Sequence, residues 1–421
     1  LILWSYKMAN TLLTSSIIQK EALMILENEL TFTKNVNREY DDKFGVAGAK
    51  IGATINARKP PRYVGRSGQA LSVEASTENY VPITLDTQFG VDISFSSTDL
   101  TLSIDEFSDR FLKPAMATIA NKVDYDGLQL YKDVFRYVNA GATATSYGTS
   151  GTLNGGSVTQ AQVQAQVLTA GAILTESGVP IENRGLVLDP LSQVSVASNL
   201  TNLYNPNLKI SSIFEKGSLG SNTLGFDWAS DANIASFVPM AAGSVTALTA
   251  VPAVGASSIA VTSTAGTVPR GTVLTIAGVY AINPQNRQST GRLAQFVVTA
   301  DTAVTTTGTL PIYPAYIPSG QFATCTGTPT STAAISILTS GAIGGTGSSQ
   351  NLAFHKNAFT LATADLLLPG GVDMSERANY KGISMRMVRQ YDINSDMFPV
   401  RFDVLFGWKT IYPELAVRVG G

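Results

Sequence analysis

From about residue 241 to 345 the chain turns to Ala, Val, Thr, Ser and Gly and carries almost no charge. Stretches that read as strands fall at 257–263, 271–282, 293–300 and 333–338, separated by Gly, Pro or Asn turns. Short strands at such spacing point to a small β-barrel. Residues 271–284, Gly-Thr-Val-Leu-Thr-Ile-Ala-Gly-Val-Tyr-Ala-Ile-Asn-Pro, read as a strand, a tight turn at Gly278 and a second strand. On either side the pattern mixes helix and strand. The late stretches 358–362, 383–391, 401–408 and 411–419 read as strands with no helix beside them. They are expected to complete a sheet begun earlier, which makes the block at 241–345 an insertion.

The segments before the block supply that earlier part. Residues 14–30 predict the first helix: Ser16 and Gln19 fit a capping box, and Leu23, Leu26 and Leu30 form an apolar stripe. The run from Lys34 to Lys43 is polar, so this helix cannot build a core alone and reads as an N-terminal arm that packs on something else. In 46–100, the extended stretches 51–56 and 82–95 flank Arg58-Lys59-Pro60-Pro61-Arg62-Tyr63-Val64-Gly65-Arg66. That predicts a long β-hairpin with a flexible basic tip. Arg58, Lys59, Arg62 and Arg66 can meet phosphates or the acidic groups of a neighbouring subunit. The second use fits better, because no aromatic platform or wider basic patch accompanies them.

A long helix is expected over 103–138, capped by Ser103 and Glu106, with Phe107, Phe111, Ala115, Ile119 and Val123 on one face. Pro114 should kink or break it near Leu112. A Gly/Ser/Thr-rich loop at 140–156 leads to a helix over 158–177, ended by Gly178-Val179-Pro180. Residues 186–190 read as a buried strand running into a helix, with Asp189 as cap and Pro190 at the first helical position. Residues 224–240 are mixed loop and strand with Trp228 as a packing aromatic, and 341–349 reads as a flexible linker.

Chemistry finds little to stand on. The single Cys325 excludes an intrachain disulfide, and with the single His355 it leaves no metal-ligand spacing. A Ser/His/Asp triad would need His355, and no Gly-x-Ser-x-Gly elbow accompanies it. Lys and Arg number 29 against 31 Asp and Glu, without the basic surplus of a phosphate-gripping protein. Charged residues are only 14% of the chain, which points to a surface largely covered by other subunits, a Ser/Thr/Gly-rich surface being the plainer explanation. No apolar run approaches the roughly 18 residues of a membrane span. The N-terminus lacks the pattern of a secretory signal, and the product is expected in a cytoplasm.

Phe111-Leu112-Lys113-Pro114-Ala115 and the stretches 186–190, 271–284, 401–408 and 411–419, in that order, resemble the coat proteins of P22-like tailed bacteriophages. The resemblance covers the chain from Met8 onward, and residues 1–7 read as upstream sequence. It implies an α+β chain of the HK97-type capsid fold. Residues 8–45 would be the N-terminal arm and 46–100 an extended loop overlapping a neighbour. Residues 101–240 would hold the spine helix and the first part of the peripheral and axial domains, 241–345 the inserted barrel, and 346–421 the return strands. The implied function is that of a major capsid protein. Its copies would form the pentamers and hexamers of an icosahedral shell, with a scaffolding protein and a portal, enclosing double-stranded DNA without sequence-specific binding. The implied location is the virion capsid, assembled in the host cytoplasm, with no cofactor, metal or membrane. In the family the insertion aids folding and carries contacts between capsomers. Here Arg287 and Arg292, at Asn286-Arg287-Gln288-Ser289-Thr290-Gly291, are the expected contact residues. An encapsulin-like bacterial shell protein shares the fold and is one alternative; a β-rich fibre or adhesin is the other. The inserted barrel speaks against the first, and the capped amphipathic helices against the second.

Overall fold

The structure is a computed structural model describing residues 15–41, 53–59, 63, 65, 68–69, 73, 79–96, 108–139, 160–200, 223–240, 244–338, 347–394 and 397–420. Three sheets organise it. The first runs Asn37–Asp41, Phe359–Ala364, Met397–Thr410, Ile383–Arg389, Met374–Tyr380, with Thr87–Ser96 also paired to Met397–Thr410. Helices α1 (Ser15–Glu29) and α2 (Lys113–Leu128) pack on it. Leu23 and Leu26 of α1, Met116 and Ile119 of α2, and Met385, Phe402 and Phe406 of the sheet share one core. The expected arm helix therefore packs on its own chain. Gln19 is used differently from a capping box: its side-chain amide donates to the Met385 carbonyl at 2.6 Å, tying α1 to the sheet. The end of α1 is held by two carboxylates. Buried Glu27 takes Arg38 at 2.6 Å, and Asp124 of α2 accepts the Thr31 and Thr33 amides.

The expected long helix is interrupted. Residues 101–107, with the Ser103–Glu106 cap, lie outside the described residues. Ser108–Leu112 is a π-helical turn, α2 follows with Pro114 in its first turn, and Gln129–Asp133 is 3₁₀. Pro114 has no amide to donate backwards, so a standard helix restarts at it rather than running through it. The run ends at Val134, short of 138, because Tyr137–Val138 is taken as a parallel strand beside Ala416–Gly420.

That pairing opens the second sheet: Tyr137–Val138, Ala416–Gly420, Ser348–His355, Arg184–Leu188, Asp227–Ser230, with Ser236–Phe237 also on Ser348–His355. Helices α3 (Gln160–Glu176) and α4 (Pro190–Leu200) cover it through Val163, Val167, Leu174 and Val196. Gly178 ends α3 at φ +74, and buried Arg184 donates to the Val179 and Pro180 carbonyls beyond it. Asp189 caps α4 by accepting the Ser192 amide at 3.4 Å. Trp228 packs on this core and donates to the Thr223 carbonyl. The expected loop at 140–156 and linker residues 341–346 lie outside the described residues, while Ser348 and Ser349 are already strand.

The third sheet is the barrel. Val273–Ile282 pairs with Ser289–Val298, which pairs with Thr307–Tyr316, then Ala256–Ser263, then Val245–Leu248. Ile335–Ile337 lies on the other edge of Val273–Ile282, and a bridge from Ala334 to Ala247 closes the ring. Inside are Leu274, Ile276, Phe296, Val298, Leu310 and Cys325. Gly278 does not turn the chain. Val273–Ile282 is one strand, and Gly278, at φ +84, sits where its register with Ser289–Val298 shifts between Thr275 and Tyr280. A left-handed glycine fits a bulge as well as a turn, and the flanking partner strand decides between them.

Candidate functional site

Strand Ala53–Lys59 pairs with Asn79–Leu85, placing Arg58 opposite Tyr80 and Lys59 opposite Asn79 at the outer end of the hairpin. Arg58 is exposed; the Lys59 ammonium lies 5.0 Å over the Tyr412 ring. Arg62 and Arg66 lie outside the described residues. Arg287 stands on the barrel turn that follows Val273–Ile282. Asn283 organises this turn: its carbonyl accepts the Arg287 amide at 2.8 Å and its Oδ1 accepts the Gln285 amide at 2.8 Å. Arg287 is held at φ +57, and its Nη2 donates to the Tyr63 carbonyl at 3.0 Å. Two basic segments far apart in sequence thus meet within one chain.

Arg292 is put to a different use from the one expected. It is 5% exposed, and its guanidinium pairs with Glu176 at the end of α3. It lies in the half of Ser289–Val298 where the register with Val273–Ile282 shifts, and its charge joins the barrel to α3 of the same chain.

The feature that sequence reasoning missed is the junction of barrel and body, centred on Arg418. This arginine is fully buried, and burial pulls its pKa down to about 10. Nη2 donates to the Gly271 carbonyl of the barrel at 2.6 Å, and Nη1 reaches Gln350 Oε1 at 3.5 Å. The guanidinium also lies over the rings of Tyr131 and Tyr137, at 5.7 and 5.9 Å. Beside it the Gln295 amide accepts from the Tyr137 N–H at 2.9 Å and donates to the Tyr137 carbonyl at 2.7 Å. A barrel side chain thereby stands in for a neighbouring strand. Arg270 pairs with Asp133 at 2.5 Å, and Thr272 donates to the Pro239 carbonyl. Gly271, at φ +96, lies so close to Lys132 that a Cβ would sit 3.2 Å from its side chain. The only sequence signal for Arg418 is one charge inside the apolar run Ala416-Val417-Arg418-Val419.

His355 and Cys325 are separate. His355 is paired in register with Arg184, and its Nδ1 accepts the Asn357 amide at 3.3 Å; burial, then the Arg184 charge, lower its pKa. Cys325 is enclosed in the barrel, and burial pushes its thiol up. A thiol reagent at neutral pH is therefore expected to label Cys325 at least roughly tenfold more slowly in native protein than in urea. Equal labelling rates would contradict a closed barrel. Among the described residues no cluster of three His, Cys, Asp or Glu is placed to hold a metal ion, and no helix is long and apolar enough to cross a membrane.

Comparison with known proteins gives one family match: "P22 coat protein - gene protein 5" matches residues 8–421. No curated protein matches. Among solved structures, one from Mycobacterium phage Che8 is 12% identical, covering 93% of this chain and 90% of its own, with a TM-score of 0.40. The capsid of cyanophage P-SCSP1u is 9% identical over 93% and 88%, with a TM-score of 0.44. A virus-like particle from Pyrococcus furiosus is 8% identical over 96% and 98%, with a TM-score of 0.38.

Proposed function

Because the chain belongs to the P22 coat protein family and is a major capsid protein that forms a viral shell, we propose the following assembly. Copies gather as pentamers and hexamers into an icosahedral wall around double-stranded DNA, with a scaffolding protein and a portal, in the host cytoplasm. The observation that carries this is a family match running from residue 8 to residue 421, through body and barrel alike. The balance of 29 basic and 31 acidic side chains supports a wall that encloses DNA without gripping it. Closed shells are built from repeated symmetric contacts.

In this reading residues 8–45 are the N-terminal arm and 46–100 the extended loop. Residues 101–240 and 346–421 form the body, and 241–345 the inserted barrel. Arg58, Lys59, Arg62, Arg66 and Arg287 are the subunit-contact residues. Arg292 is withdrawn from that set, its charge being spent on Glu176. The test is negative-stain electron microscopy of the protein begun at Met8, alone and co-expressed with its genomic neighbours. Closed shells or capsomer-sized rings are expected; monomers under both conditions would overturn the assembly reading.

A further inference from the structure

We propose that the cavity between barrel and body is a binding site for a small neutral aromatic molecule, of the size and kind of benzamide, carrying both a hydrogen-bond donor and an acceptor. The cavity holds about 110 Å³. Phe135, Arg136 and Glu414 line it from the body, and Ile282, Phe296 and Tyr313 from the barrel. The site lies within the single subunit and does not depend on the assembly described above.

The barrel backbone opens the cavity. Ser289–Val298 and Thr307–Tyr316 are in register at Val297 with Tyr313 and at Val298 with Ile312. The next step would set Phe296 against Pro314, which has no amide to give to a ladder, so the two strands part there. Pro314 lines the cavity at that point. The body closes over the gap with the segment between the 3₁₀ turn Gln129–Asp133 and strand Tyr137–Val138, and with the 3₁₀ turn Pro413–Leu415. From the first of these, Phe135 stands edge-on to Tyr313 of the barrel, ring centroids 5.9 Å apart at 67°. Next to them the Gln295 side chain holds the Tyr137 backbone by both its N–H and its carbonyl. The walls are thus already formed in the empty subunit.

Space and charge choose the guest. A cavity of roughly 150 Å³ takes benzene, so this one suits a single ring and no second. Such a ring meets Phe135, Phe296 and Tyr313 edge-on or offset. The polar part is set by two opposite charges, the Glu414 carboxylate and the Arg136 guanidinium, which lies 5.2 Å from the centroid of the Phe135 ring. A cationic guest would meet Arg136 and an anionic one Glu414, each a like charge in a partly enclosed space. A neutral amide donates to the carboxylate and accepts from the guanidinium, and leaves neither charge opposed. Such a guest touches barrel and body at once. Its binding stabilises the folded subunit, because the site does not exist in the unfolded chain.

Saturation-transfer NMR on the unassembled full chain tests this with benzamide, benzoate and benzylamine as probes. Benzamide is expected to bind with a Kd of about 1 mM or below, and the two charged probes at least severalfold more weakly. Ala281→Leu, which adds bulk to the cavity wall, is expected to weaken benzamide at least roughly tenfold. Saturating benzamide is expected to raise the urea midpoint of wild type and not that of Ala281→Leu. Glu414→Gln keeps the shape and removes the anion, so benzoate is expected to overtake benzamide in that variant. No binding of benzamide at about 10 mM, or equal affinity for the three probes, would overturn the proposal. So would a Glu414→Gln variant that leaves the order of the probes unchanged, a result that holds even where Ala281→Leu fails to fold.

Discussion

Replacing Arg418 by alanine is expected to lower the unfolding free energy of the subunit by about 3–5 kcal/mol. Two losses add. The guanidinium stem leaves a void beside Tyr131 and Tyr137, and the buried Gly271 carbonyl loses its donor. Arg418→Met keeps most of the packing and forfeits only the polar contacts, so about 1–3 kcal/mol is expected for it. Arg418→Lys should recover little, because a single ammonium cannot both reach Gly271 and lie flat over two rings. Urea unfolding of the unassembled subunit orders the three variants. An alanine variant within about 1 kcal/mol of wild type would show that the junction is not held there.

The second large effect is expected at Gly407. It pairs with Ala362 inside the first sheet, and a Cβ there would stand 2.0 Å from the Thr84 carbonyl and 3.1 Å from Leu85 Cα. The long strand cannot slide away, since the next residue, Trp408, donates to the Val123 carbonyl at 3.1 Å and packs against the core. The hairpin strand Asn79–Leu85 must move instead, stripping Ile83 and Leu85 from their buried seats. Gly407→Ala is therefore expected to cost about 3 kcal/mol and to speed proteolysis within the hairpin. Gly65→Ala is the control, because nothing lies within 4 Å of the added carbon. Equal proteolysis of both variants would argue that the hairpin is not seated on Gly407.

What the sequence revealed depended on how local the deciding contact was. Helices α1 and α3 were legible because their apolar stripes repeat along one face, and the barrel strands because turn residues bound them. Strand Thr307–Tyr316 was not read, since Pro311 and Pro314 argue against a ladder; Pro311 escapes the penalty by using its carbonyl, which accepts the Thr299 amide at 3.1 Å. Gly278 was misread because turn and bulge look alike until the partner strand is known. The charges hid most. Arg292 finds Glu176 across 116 positions and Arg418 finds Gly271 across 147, and no spacing rule reaches that far. Among the candidate contact residues, the basic run and Arg287 were visible as charges on turn-rich segments. Their meeting at Tyr63 was not, because a backbone carbonyl carries no sequence signal.

The barrel's first and last strands are neighbours, joined by the Ala247–Ala334 bridge. Among the described residues the two end strands of the barrel therefore lie side by side. Tilt is set by side chains: Arg418 on Gly271, Gln295 on Tyr137, Arg270 on Asp133 and Arg292 on Glu176. The angle of barrel to body is then written in four side-chain contacts rather than in the path of the chain. Exchanging those few residues would re-aim the barrel with neither sheet nor barrel rebuilt.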